Sequence, residues 1–373
     1  MLNNPPLNSS LLPIPAYEQQ DVVFTRAFRV LNDAIAQRAF PAASVAVTYQ
    51  GKLVCLKAFG HFLYEVETPE TTTTTIFDLA SVTKVVATTT MAMILYDRGL
   101  LDLDTSAVSI IPEFKSDDPR REQITIRMLL AHSSGLPGYE KLFLKTRDRD
   151  HLLSAAFQIP LKYDPGSTAE YSDIGFIILG VALERIAQDK LDHFSQHEIF
   201  GPLGMARTTF NPPLQWWSLI PPTMDDQSFR GRIMQGEVQD ENASVLDGVA
   251  GHAGLFSSAG DLATFGHTML QSGAPIVRPE TLALFTRRES SPTGTSRTLG
   301  WDTPSAPSQS GQHFSPRSFG HLGYTGTSLW IDPMRHLSVT LLTNRTWPDC
   351  KNEAIKQIRP AFHDAVIESL QGS

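Results

Sequence analysis

The chain has 373 residues, 41% of them hydrophobic and 19% charged, and a formal charge of −8. That composition builds a folded protein with a sizeable core, as one large domain or two lobes, and excludes a disordered chain. There is no basic footprint for nucleic acid and no charge-free apolar stretch long enough to span a bilayer, and two cysteines, Cys55 and Cys350, are too few for a disulfide framework and read as free thiols.

In chain order, residues 1–10 lack a basic region followed by an apolar run and do not read as a signal peptide. As written, the sequence points to the cytoplasm, or to the periplasm or secretion if a leader has been removed. Residues 1–20 are rich in Pro and Asn and form an N-terminal arm. Val23, Phe28, Leu31 and Ile35 recur at helical spacing within residues 22–38. Residues 43–49 and 52–56, separated by Gln50-Gly51, read as a β-hairpin. A helix is expected from Ser81 to about Arg98, closed by Gly99 and apolar on most faces, which places it inside the protein. Further helices are expected at 126–131, 174–187 and 262–270, the last behind a capping pair, Ser258 and Asp261. Residues 211–245 read as irregular, and 290–318, rich in Ser, Pro and Gly, as a flexible surface loop. Strands at 328–332 and 337–343 flank a turn, and a helix at 351–370 closes the chain.

Strands at both ends with helices between them predict an α/β protein: an antiparallel sheet from both chain ends, flanked by helices, with an inserted helical region. The expected organisation is one catalytic domain over 21–373, its α/β lobe at about 21–99 and 246–373 and its helical lobe at about 100–245.

The chemistry starts at Ser81-Val82-Thr83-Lys84, the one Ser-x-x-Lys of the chain. Residues three apart on a helix share a face, so the Lys84 amine can reach the Ser81 hydroxyl. Serine is a weak nucleophile until a base takes its proton, and a lysine in a dry pocket can have its pKa lowered enough to be that base. Three further stretches bear on Ser81: Tyr171-Ser172-Asp173 just before a helix, the glycine-rich 248–257 around His252, and His321-Leu322-Gly323-Tyr324 leading into a strand.

These motifs, in this order, resemble the serine β-lactamase and penicillin-binding-protein superfamily, in particular the branch of class C β-lactamases, D-alanyl-D-alanine peptidases and β-lactamase-like esterases. Its nucleophile motif Ser-x-x-Lys matches Ser81 to Lys84. Its Tyr-x-Asn matches Tyr171 to Asp173, and its Lys-Thr-Gly or His-Thr-Gly matches His321 to Gly323. The stretches 130–137 and 202–205 are similar as well, and the likeness runs from about residue 30 to 350. It implies a β-lactamase/transpeptidase-like fold in which Ser81 forms an acyl-enzyme. Lys84 and Tyr171 would share the proton work, Tyr171 partly as a phenolate whose pKa Lys84 lowers. The backbone N–H groups of Ser81 and Tyr324 would form the oxyanion hole. Asp173, His321, Leu322, Gly323 and His252 would touch substrate, Gly323 by letting it approach the strand. A buried tyrosine or a strand histidine with a satisfied hydrogen bond is the plain alternative for Tyr171 and His321. For His252, flanked by Gly251 and Gly254, a structural turn is the favoured alternative. No metal or organic cofactor is implied.

Two departures from the family bear on substrate. Leu322 and Tyr324 stand where the family has hydroxyls that help grip a substrate carboxylate, leaving Thr325 or Thr327 as replacements, and His321 is at best partly charged near neutral pH. Asp173 replaces an asparagine, and an ionised carboxylate cannot donate to an amide carbonyl. It could instead pair with Lys84, hold it protonated and leave Tyr171 as principal base. The expected function is therefore a carboxylesterase-like serine hydrolase acting through an acyl-enzyme on small ester or amide substrates. A D-alanyl-D-alanine carboxypeptidase or class C-type β-lactamase is the alternative, with a non-catalytic binding paralogue as the second alternative. The partner is a small ester, amide or D-amino-acid peptide.

Overall fold

The computed structural model describes residues 12–371. Residues 1–10, read above for a leader, and most of the N-terminal arm lie outside them. The strands in chain order are β1 (Ile14–Pro15), β2 (Ala42–Tyr49), β3 (Lys52–Gly60), β4 (Ile76–Asp78), β5 (Thr209–Phe210), β6 (Met224–Asp226), β7 (Arg232–Met234), β8 (Leu255–Ser258), β9 (Phe319–Leu322), β10 (Ser328–Asp332) and β11 (Leu337–Thr343).

Strands from both chain ends meet in one sheet ordered β1-β3-β2-β11-β10-β9. The join is the antiparallel β2–β11 pair, in register from Tyr49 opposite Leu337 to Ala43 opposite Thr343. Only β1 runs parallel to its neighbour, a two-residue edge that the sequence does not announce. Strand β2 is buried along nearly its whole length, and its side chains alternate between two cores. Ala42 and Ala46 face the larger core, which includes the helical middle of the chain. Ala43, Val45 and Val47 face a smaller one, closed by the helices Thr25–Ala36 and Ile355–Gln371. Cys55 lies in that smaller core and Cys350 elsewhere, both unpaired.

The segment 80–98 is not one α-helix. It is a 3₁₀ turn at Ala80–Val82, a π-helical stretch at Lys84–Thr89 and an α-helix at Thr90–Asp97. Within the wider stretch Thr90 Oγ1 donates to Val85 O at 2.8 Å, while Thr88 Oγ1 donates out of the helix to Gly251 O at 2.7 Å. Side-chain donors of this kind compete with the helical ladder, and π-turns are typical where a helix serves a site.

Other boundaries also shift. The first helical region splits at Phe24, and the last helix begins at Ile355 rather than 351. The irregular 211–245 contains the β6–β7 hairpin. The supposed surface loop 290–318 buries Thr298, Leu299 and Trp301 completely, so it packs into the larger core. Its Ser, Pro and Gly content encodes irregular backbone, not exposure. No helix among the described residues is long and apolar enough to cross a membrane.

The glycine-rich stretch around Gly251 makes a close backbone crossing with the helix Asp173–Ala187. A Cβ on Gly251 would lie 2.1 Å from Phe176 O and 3.0 Å from Gly180 Cα. One on Gly260 would meet nothing nearer than 4.0 Å. Gly251→Ala is therefore expected to cost about 2–3 kcal/mol, read as a lower urea midpoint, while Gly260→Ala leaves the midpoint unchanged or slightly raised. Equal midpoints for the two variants would contradict the crossing.

Candidate active site

Ser81 lies three residues past the end of β4. Ala80 is in the left-handed region at φ +46°, rare for a residue with a side chain and costly by about 1–3 kcal/mol unless the surroundings impose it. Here they do. Ala80 N–H donates to Asp78 Oδ1 at 2.8 Å, and Leu79 N–H donates to Leu255 O at 2.9 Å. The buried Asp78 carboxyl also accepts from Gln239 N–H at 2.7 Å. Burial pushes Asp78 up to about 6, against the pull of those two N–H groups.

Lys84 is fully buried, and its Nζ touches three oxygens: Ser81 Oγ at 2.9 Å, Asp173 Oδ1 at 2.6 Å and His252 O at 2.9 Å. Burial pulls its pKa below the ordinary lysine value, and the Asp173 carboxylate opposes but does not cancel that pull.

Tyr171 hydroxyl donates to Ser81 Oγ at 2.6 Å. The next residue, Ser172, caps the helix Asp173–Ala187 by accepting from Gly175 N–H at 2.9 Å. Ser172 N–H in turn donates to His132 Nδ1 at 3.0 Å, and the His132 ring packs 4.8 Å from the Tyr171 ring. Burial holds the His132 imidazole well below its ordinary value, so it is a neutral acceptor. The cap thus aims Tyr171 and Asp173 together at Lys84. Tyr171 is pushed well above its ordinary value, by burial first and then by the charge of Asp173. The expectation that Lys84 lowers the Tyr171 pKa is corrected: motif spacing reveals the neighbouring cation but not the burial that outweighs it.

His321, Leu322, Gly323 and Tyr324 line the same cavity as Ser81, Tyr171 and Asp173. The cavity holds about 830 Å³. Burial, with Lys84 and Arg297 nearby, pushes His321 well below its ordinary value, so it brings no charge. The room left by Gly323 is taken by the protein: an added Cβ would lie 1.9 Å from Thr327 Oγ1 and 2.4 Å from Leu79 O. Thr325 and Thr327 offer no replacement hydroxyls, since theirs are buried and donate to Asp78 O at 2.7 Å and Leu79 O at 2.9 Å. His252 does not reach the cavity either. Its ring is fully buried, with Nε2 2.9 Å from Asp240 Oδ1, and its contribution to the site is the carbonyl on Lys84.

Three residues escaped the motif reading. His132 sits inside the recognised 130–137 stretch, where a histidine in an apolar segment was its only signal. Asp240 caps a short helix and holds His252, and no pattern in 211–245 marks it. Arg297 comes from the supposed surface loop, lines the cavity and lies 5.5 Å from the Tyr171 ring centre. Its carboxylate neighbour, Asp302, is 3.6 Å away.

The β-lactamase family model matches residues 24–361. An N-acetylmuramyl-L-alanine amidase of Bacillus subtilis (strain 168) is 34% identical over 346 residues, covering 82% of this chain and 77% of the relative. A protein of Escherichia coli (strain K12), provisionally named a D-alanyl-D-alanine carboxypeptidase, is 32% identical over 344 residues, covering 82% and 79%. The solved structure of EstCE1, described as a hydrolase with promiscuous acyltransferase activity, superposes with a TM-score of 0.75 over 92% of this chain and 99% of that one, at 24% identity, a likeness of fold. With a Ser-x-x-Lys nucleophile segment on that fold and a family match over most of its length, the chain belongs to the β-lactamase family of serine hydrolases.

Proposed function

We propose that the protein hydrolyses small esters and amides through an acyl-enzyme on Ser81, in the manner of a carboxylesterase. The observation that carries this reading is Ser81 Oγ standing within hydrogen-bond reach of both Lys84 Nζ and Tyr171 hydroxyl. Asp173 Oδ1 and His252 O can only accept, so each takes one N–H of Lys84. An amine that has lost one proton keeps both bonds and presents its lone pair to Ser81. This makes Lys84, rather than Tyr171, the base that takes the Ser81 proton.

In acylation the Ser81 Oγ–carbon bond forms, and the N–H groups of Ser81 and Tyr324 stabilise the oxyanion. The bond to the leaving group then breaks, and Tyr171 gives its hydroxyl proton to the departing atom. The phenolate so formed lies beside protonated Lys84 and Arg297. In deacylation water passes a proton to Tyr171 and attacks the acyl carbon, and Lys84 returns its proton to Ser81.

Leu322 has no hydroxyl, that of Tyr324 sits at the far end of an aromatic ring, and those of Thr325 and Thr327 turn inward, which favours a substrate without a gripped carboxylate. One observation favours a second reading: Arg297 brings a guanidinium into the cavity. With room of about 830 Å³, this fits an anionic amide of the peptidoglycan type, as the names of the amidase and carboxypeptidase relatives would have it.

Two experiments follow. The first assays p-nitrophenyl acetate and butyrate, nitrocefin, D-alanyl-D-alanine peptides and a muramyl-L-alanine amide, with Ser81→Ala and Arg297→Gln as controls. Ester turnover lost in Ser81→Ala, with the acyl mass on Ser81, is expected. Faster amide or peptide turnover that falls at least ~10-fold more than ester turnover in Arg297→Gln would favour the second reading. No acyl adduct with any substrate or a fluorophosphonate would end the catalytic one.

The second uses pH. Lys84 must be unprotonated to act, so kcat/KM rises with pH through its pKa. Asp173 favours the ammonium, so Asp173→Asn lowers that pKa further and moves the rising limb to lower pH by about 1 unit or more. A limb that stays or moves up would assign it to another group.

A further inference from the structure

Arg359 lies on the C-terminal helix and on the wall of the same cavity, only 4% exposed. A buried guanidinium ordinarily sits against a carboxylate. Arg359 has none within ion-pair distance among the described residues. Its Nη2 donates instead to Gly323 O at 3.1 Å and Thr327 O at 3.1 Å, and its Nη1 to Gln309 Oε1 at 3.3 Å. Its Nε has no hydrogen-bond partner among the described residues.

Gly323 C=O and Tyr324 N–H are the two ends of one planar peptide. Fixing the direction of the carbonyl fixes the N–H on the opposite side. A cation donating to that carbonyl also draws electron density from the amide and strengthens the N–H as a donor. Thr327 O already accepts from Gly323 N–H at 2.7 Å, so Nη2 closes the tight 323–327 loop as well. On the far side of Tyr324, Arg345 Nε donates to Tyr324 O at 2.7 Å. Both peptides that flank Tyr324 are therefore held by arginines.

The guanidinium is itself fixed in place. Pro360 lacks an N–H, which leaves Lys356 O without its helical partner. Gln309 Nε2 donates to that carbonyl at 2.9 Å, and the same amide accepts from Arg359. Burial lowers Arg359 to about 9, so it remains a cation at neutral pH.

We propose that Arg359 is a positioning residue for the oxyanion hole, orienting and polarising the Gly323–Tyr324 peptide so that Tyr324 N–H binds the charge developed when Ser81 attacks. This rests on the acyl-enzyme reading above. The test uses the full chain with Arg359→Gln and Arg359→Lys, assayed with p-nitrophenyl butyrate. In Arg359→Gln, kcat should fall about 10- to 100-fold with KM changed less than about twofold, a part of the effect of removing an oxyanion donor outright. Added guanidinium should restore part of the loss, since the vacated position opens on the cavity. The infrared carbonyl stretch of the acyl-enzyme should move towards that of a free ester in both variants, less in Arg359→Lys.

An unchanged kcat and carbonyl stretch in either folded variant would overturn the proposal, as would a loss confined to KM. A lowered melting temperature with an unmoved stretch would make Arg359 merely structural. Ser81→Ala, run alongside, separates the two levels: activity that survives it overturns the acyl-enzyme reading, and Arg359 falls with it.

Discussion

A lysine amine with no exposure to water is the constraint on which the site depends. A lone ammonium in that position would cost several kcal/mol, so the fold must either pair it or let it lose a proton. This protein arranges both. Three separate segments bring an oxygen to Lys84: the nucleophile turn, the start of the helix Asp173–Ala187 and the glycine-rich stretch before β8. Losing one proton leaves two N–H groups for the two obligate acceptors and a lone pair for Ser81. The same desolvation that makes the lysine a base keeps Tyr171 neutral and His321 uncharged.

The rest of the architecture fixes the nucleophile against that lysine. Thr325 and Thr327 donate to the carbonyls of Asp78 and Leu79, tying the end of β9 to the strained turn before Ser81. The two backbone N–H groups proposed for the oxyanion hole belong to segments held together by these bonds. The β2–β11 pair joins the two chain ends beneath them. β4 belongs to a separate sheet with β8 and β5, so the two threonine bonds, and not strand pairing, join the segment of residue 81 to that of residue 324.

Much of this was legible in the sequence because it is local. Ser81 and Lys84 share a helical face whatever the helix type, and they meet even though the helix is partly π. Tyr171 and Asp173 are legible as a short motif just before a helix, and β2, β3, β10 and β11 as apolar runs bounded by turns. The illegible parts depend on burial and on distant partners. Arg297 lay in a segment whose composition mimics a surface loop. Asp240 lay where no period exists. The titration of Tyr171 was misread because a neighbouring lysine is visible in a motif and full desolvation is not. The ring of His252, expected to touch substrate, is covered by the protein itself, whereas Gly323 does line the cavity although no side chain would fit on it.

The most direct test of the central claim is the protonation of Lys84 itself. An NMR titration of the protein with lysine labelled at Cε, assigned with Lys84→Met, reads it without relying on turnover. Lys84 should titrate clearly below the ordinary lysine value of about 10.4, and its resonance should move when Ser81 is acylated. A titration at or above that value would contradict Lys84 as the base and return the role to Tyr171.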